Sequence, residues 1–262
     1  LYHVEVYLVA GDLPGLGAGV YHFDPQGFAL RPLRTGDFRG VLADAAAGEE
    51  GVVWAPVTLV LTSVWQRNAW KYRARAWRHV FWDSGTILAH LLALASAHRV
   101  LSRVVLGFVD GEVVRLLDLD PVRELPVALV PLGRGEAPPP PAPPVFPLGH
   151  RVAPILRREI REPLILEAHE ASSFRTAAEV RAWRTCRVEL ERAPSGPLLP
   201  LRFLPPEALP RAPLEEVIER RRSTRRFSPD PIPLEAFSEV FARCAAPVSY
   251  THLRAHETPE HL

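Results

Sequence analysis

Apolar and polar residues alternate from the start of the chain, and Leu1-Tyr2-His3-Val4-Glu5-Val6-Tyr7-Leu8-Val9 has the two-residue period of a strand. This predicts a strand over 1–10, and a Gly/Pro turn then leads to a second strand over 19–23. Asp37 is placed to cap a short helix over 37–47. Residues 57–64 are almost continuously apolar, as in a strand buried on both faces. A helical period then runs from 66 to 100 and predicts two helices meeting near Asp83-Ser84-Gly85. The second of them is apolar nearly all round and is expected to be buried. A strand over 103–108, a helix over 111–117 and a strand over 126–132 complete this half. Strands and helices mixed in this way predict an α+β or α/β sandwich.

The pattern changes at Gly133. Ala137-Pro138-Pro139-Pro140-Pro141-Ala142-Pro143-Pro144 is a stiff polyproline-type linker. Residues 150–210 mix short amphipathic pieces with prolines and are expected to form a loosely ordered connector. A helix over 213–222, a turn-rich stretch over 223–233 and a helix over 234–244 follow. The expected organisation is one unit over 1–134, a Pro-rich connector over 135–210, the start of another unit over 211–246, and a non-native or disordered tail over 247–262. Within that tail, Ser249-Tyr250-Thr251-His252-Leu253-Arg254-Ala255-His256-Glu257-Thr258 resembles translated adaptor sequence.

Composition narrows the function classes. An apolar share of 47% suits a real core, and a formal charge of +1 gives no field for nucleic acid or an anionic membrane. No apolar run reaches membrane-spanning length, and no signal-like segment opens the chain. Cys186 and Cys244 are too few and too distant for a disulfide framework or a metal quartet, which suits a reducing cytoplasm. His252 and His256 have the spacing of a zinc pair but no acidic or thiol ligand at a useful distance. Gly15-Leu16-Gly17-Ala18-Gly19 falls between two strands, the context of a hairpin turn and not of a dinucleotide loop. Methionine is absent, so the chain is expected to be a piece of a longer protein.

Two motifs carry candidate chemistry. Lys71 is the one lysine among 31 basic residues. Arginine stays protonated, whereas a crowded or desolvated lysine can give up its proton and act as a base or nucleophile. Arg67 and Arg75 lie four residues to either side, so one continuous helix would place three cations on one face. A codon bias against lysine is the plain alternative. The second motif is Arg221-Arg222-Ser223-Thr224-Arg225-Arg226-Phe227. In extended backbone Arg221, Ser223 and Arg225 point the same way, and two forked cations with a hydroxyl make a phosphate clamp. A solvated basic turn is the alternative there.

Arg-x-Ser-x-Arg-x-Phe, followed by a proline and an amphipathic helix, resembles the opening of the nitroreductase family. The first 134 residues separately resemble the later two-thirds of such a domain. The likeness is to the SagB/ThcOx-type branch, which oxidises azoline rings in ribosomal peptides. It rests on the opening strand, Gly19-Val20-Tyr21-His22-Phe23-Asp24-Pro25, Trp70-Lys71-Tyr72-Arg73-Ala74-Arg75, Gly107-Phe108-Val109-Asp110, Leu116-Leu117-Asp118-Leu119-Asp120 and Pro131-Leu132-Gly133. The chain departs from the family at His3, where proline is usual.

The resemblance implies an incomplete nitroreductase-like α+β sandwich joined by the Pro-rich linker to the start of a second such domain. It implies FMN as cofactor, with Arg221, Ser223 and Arg225 on its phosphate and ribityl chain, and the backbone of Gly107 approaching the flavin. It makes Lys71 and Tyr72 the catalytic pair. The partners it implies are a peptide or small-molecule substrate, a cyclodehydratase, and a second flavin domain in a homodimer or an intramolecular pseudo-dimer. An NAD(P)H-dependent nitro or quinone reductase is the alternative within the family. A non-catalytic unit that binds flavin or peptide is the alternative outside enzymes.

Overall fold

The alternation at the start of the chain becomes a strand, β1 (Val4–Ala10), which buries Tyr7 and Val9. In the computed structural model, which describes residues 2–150, 159–186 and 196–245, β1 pairs antiparallel on both sides. On one side lies β2 (Gly19–Asp24), paired in turn with β3 (Ala29–Thr35). On the other side lies β4 (Val57–Ser63), paired with β5 (Leu125–Leu132). The order β3-β2-β1-β4-β5 is a single five-stranded antiparallel sheet. Helices accompany it, so the class is α+β. β3 lies outside the strands predicted from alternation because its sequence carries Pro32 and two arginines. An edge strand tolerates such residues, and Pro32 pairs with Tyr21 just beyond a register shift.

The helical segments depart from the expected plan in instructive ways. Phe38, and not Asp37, is the N-cap of α1 (Arg39–Ala45), while the Asp37 carboxylate accepts the Arg39 N–H at 3.0 Å. α2 (Glu50–Trp54) is too short to show a period in the sequence. Residues 66–97 form α3 (Gln66–Tyr72), a single 3₁₀ turn (Arg73–Arg75) and α4 (Ala76–Ala97). The break falls at Arg73, whose φ of 52° ends α3; Asp83-Ser84-Gly85 lies inside α4. Nor is α4 buried all round, since Phe81, Trp82 and Ile87 are exposed. The stretch Gln66–Ala97 is long and apolar enough to cross a membrane by length and composition alone, with a mean hydropathy of 1.3. Here it is bent at Arg73 and tied to the sheet. Residues 103–108 form no strand and touch β5 through an isolated bridge at Val105, next to another from Ser102. They lead into α5 (Asp110–Leu117).

Two apolar clusters fix this arrangement. One joins Val9, Val20, Val60 and Leu129 of the sheet to Val41 and Leu42 of α1 and to Val113 and Leu116 of α5. The other joins Leu125 and Val127 to Trp65, Ala69, Ala76 and Val80.

The prolines after Gly133 lie along the first unit. Gly135 N–H donates to Trp54 O at 2.6 Å, and Val145 packs on the larger cluster. The buried Arg34 guanidinium donates from Nη1 to Phe146 O and from Nε to Leu116 O, both at 2.7 Å. Leu148 N–H donates to Asp118 Oδ2 at 3.0 Å.

The connector beyond is more ordered than its sequence predicts, with two helices, α6 (Pro163–Ser172) and α7 (Ala177–Thr185). Each fully buries one residue against this unit, Ile165 and Val180.

The chain divides into compact units at Arg187/Val188. The second contains α8 (Leu214–Arg220) and α9 (Leu234–Ala245). Ser238 Oγ and Glu239 Oε1 of α9 accept the N–H groups of Arg202 and Leu204, each at 3.0 Å. The 247–262 tail, with His252 and His256, lies outside the described residues.

Candidate active site

Lys71 and Tyr72 are the last two residues of α3, immediately before the positive-φ residue Arg73. Lys71 is exposed, with Nζ 5.2 Å from the centroid of the Tyr72 ring. The expected row of three cations does not form. Arg67 donates to Tyr2 O at 2.8 Å and pairs with Glu5. Arg75 lies beyond the helix break, with its guanidinium carbon 5.8 Å from the Trp82 ring centroid. Tyr72 is half-buried and stacks on His79 of α4, ring centroids 4.1 Å apart. His79 Nε2 is buried without a hydrogen-bond partner among the described residues, as are Gln66 Oε1 and Ser84 Oγ. Unpartnered buried polar atoms are uncommon in folded proteins, and of these three the His79 nitrogen is the one beside the Tyr72 ring. His79 escaped the sequence reading because its link to Tyr72 runs across the break at Arg73.

His3 is the other buried polar residue of this region. Its Nε2 lies 2.8 Å from Asp83 Oδ2 and its Nδ1 2.8 Å from Ser63 Oγ. A carboxylate only accepts, so Nε2 carries the hydrogen and the Ser63 hydroxyl donates to Nδ1. Burial lowers the His3 pKa from its ordinary value of 6.5, against the opposite pull of Asp83.

Gly107 stands in the loop before α5. A Cβ placed on it would come within 2.8 Å of Trp183 Cζ3, so the glycine leaves room for the indole of α7. Arg184 donates to Gly107 O at 3.1 Å and also to Ala46 O. It pairs with Glu49 at 3.4 Å. Next to the loop, Phe174 N–H donates to Asp110 Oδ2 at 3.0 Å, and Asp110 N–H to Phe174 O at 3.2 Å. Burial pushes the Asp110 carboxyl up to about 6, with Glu170 adding to the rise.

Arg221, Ser223 and Arg225 belong to the second unit, in the irregular stretch after α8. All three are exposed, and their side chains make no hydrogen bond or ion pair to another described residue. Arg222 is turned back onto α8, donating to Glu219 O at 2.6 Å and Arg221 O at 2.9 Å.

A polar cavity of about 350 Å³ opens beside β1, lined by Glu5, Tyr7, His22, Arg67, Arg123 and Glu124 among others. Its charges are matched internally. Burial opposes ionisation of Glu5, but His22 and Arg67 outweigh it and hold the carboxyl low. Burial raises Glu124, which accepts from Tyr7 Oη at 2.9 Å and from Thr62. Such a closed network ties β1, β2 and β4 together.

The residues fit FMN unequally. Two guanidiniums and a hydroxyl with no described partner are suitable donors for a phosphate. The Gly107 surface, by contrast, is already filled by Trp183.

The architecture matches a solved candidate nitroreductase from Anabaena variabilis with a TM-score of 0.54 and 24% identity, over 66% of this chain and 36% of that one. That likeness defines the fold as the nitroreductase fold. The Escherichia coli microcin synthetase McbBCD complex, solved with truncated pro-MccB17 bound, overlaps with a TM-score of 0.46 and 25% identity, over 50% of this chain and 52% of the matched chain. No family model matches the chain. A candidate nitroreductase of Methanocaldococcus jannaschii is 26% identical over 133 residues, 51% of this chain and 66% of the relative. The microcin B17-processing protein McbC of Escherichia coli is 26% identical over 125 residues, 46% of each chain. The chain thus spans between about half and two thirds of these curated relatives. Its sequence likeness is to a candidate nitroreductase and to McbC, and its fold is that of the nitroreductases.

Proposed function

We propose that this chain is part of an FMN-dependent dehydrogenase that oxidises azoline rings in a ribosomal peptide to azoles. The observation that carries the reading is the Lys71–Tyr72 pair at the end of α3, the lysine exposed and the tyrosine half-buried, with the ammonium 5.2 Å from the ring centroid. Its similarity to McbC, a microcin B17-processing protein, supports a peptide substrate. Lys71 is the base that takes a proton from the ring carbon. Tyr72, held by its stack on His79, orients the substrate. Arg221, Ser223 and Arg225 hold the cofactor phosphate. FMN, when bound, supplies the hydride acceptor. The exposed apolar residues of α4 support pairing with a second flavin domain, within one chain or between two. A cyclodehydratase is the expected companion, since it makes the azoline.

Similarity to the Methanocaldococcus jannaschii protein supports a second reading, an NAD(P)H-dependent nitro or quinone reductase. The two separate in one experiment on the flavin-loaded intact protein. Single-turnover flavin bleaching by an azoline peptide supports the dehydrogenase. Sustained NAD(P)H-driven quinone turnover, with no response to the peptide, supports the reductase.

A further inference from the structure

We propose that α7 is a displaceable plug of the flavin site, with the Trp183 indole standing on the face of Gly107 that the flavin would use. This rests on the reading of Gly107 as a flavin-facing position. The contact leaves no intervening space, since even one added carbon on Gly107 would reach 2.8 Å from the indole. Arg184 occupies the carbonyl of the same glycine at 3.1 Å. A flavin cannot share that surface with the indole, so the two alternate.

The plug is built to leave. α7 has nine residues and fully buries only Val180, and Trp183 itself is 50% exposed. A helix this short is marginal by itself and depends on its docking contacts. Beyond Val180 those contacts are few: Arg184 with Ala46, Glu49 and Gly107, the Trp183 ring 5.6 Å from that of Phe174, and the paired hydrogen bonds between Phe174 and Asp110. Thr176 caps the helix by accepting Glu179 N–H at 3.2 Å, which keeps it helical as it moves. Segments held by few buried contacts open well before the whole unit unfolds.

The test is hydrogen–deuterium exchange of the intact protein with and without FMN, alongside FMN titration of wild type, Trp183→Ala and Arg184→Gln. FMN should accelerate exchange over 177–185 in the wild type. Both substitutions should tighten FMN binding, by about tenfold where the open form is about one-tenth populated. Arg184→Gln removes ion pairing without opening a void, so it keeps the test valid if Trp183→Ala disturbs packing. Equal FMN affinity in all three with α7 still protected overturns the plug and leaves the flavin reading standing. Weaker binding by Trp183→Ala makes the indole a stacking platform, and overturns the plug in the same way. Absence of FMN binding in all three overturns the flavin reading itself, and the plug with it.

Discussion

His3 Nε2 and Asp83 Oδ2 meet at 2.8 Å, fastening the start of the first strand to the middle of the long helix α4. The imidazole is 1% exposed and its other nitrogen receives the buried Ser63 hydroxyl. Because burial lowers the His3 pKa, its neutral form is favoured in the folded chain. The resulting stability is present above the ordinary value of 6.5 and is lost as pH falls through the lower folded value. Urea unfolding followed from pH 8 to pH 5 should show this loss. His3→Ala should reduce stability by roughly 1–3 kcal/mol by orphaning Ser63, and should flatten that part of the profile.

Asp110 has the opposite sign. Burial raises its carboxyl from 3.8 to about 6, so its stabilisation is present below the lower value and lost as pH rises through about 6. Docking of 163–185 should therefore weaken between pH 5 and pH 8, by roughly 1–3 kcal/mol. Exchange rates of those amides in wild type relative to Asp110→Asn, compared at each pH, check this. The amide variant still accepts Phe174 N–H and should show no such slope.

Lys71→Arg keeps the charge but cannot accept a proton near neutral pH. Azoline oxidation should fall roughly 10²–10⁴-fold while FMN binding is retained. Single-turnover flavin reduction of wild type, Lys71→Arg and Tyr72→Phe measures it. Full activity in Lys71→Arg would return Lys71 to an ordinary surface cation.

Arg225→Ala in the intact protein should weaken FMN by about one to two orders of magnitude, the worth of a charge-assisted contact. Arg226→Ala should change little. Fluorescence titration compares them, and equal losses would mean diffuse attraction instead of a shaped clamp.

What the sequence made legible follows from the range of the forces involved. β1 and β4 announce themselves because strand periodicity is local. β3 does not, because its pairing partner β2 supplies the reason for a strand that Pro32 and its arginines hide. The break in the long helical stretch rests on the φ of one residue, Arg73, which has no compositional signature. That break also separates Arg75 from the helix of Lys71, so the three-cation face had no chance to form. α6 and α7 look like connector because each owes its place to one buried residue meeting distant chain, Ile165 in the smaller apolar cluster and Val180 beside Gly107. Gly107 could be singled out from its motif, but its contact with Trp183 spans far too much chain to be read from spacing.

The prolines pressed along the first unit bear on where that unit can be cut. Proline lacks an N–H, so such a segment can lie on a protein surface with few donors left unmet, and little flexibility is surrendered in docking it. A truncation at residue 134 would nonetheless strip the Phe146 carbonyl from the buried Arg34 guanidinium and the Leu148 amide from Asp118. A recombinant piece ended after residue 150 retains both partners, and should be recovered in better yield and melt higher than one ended before the prolines.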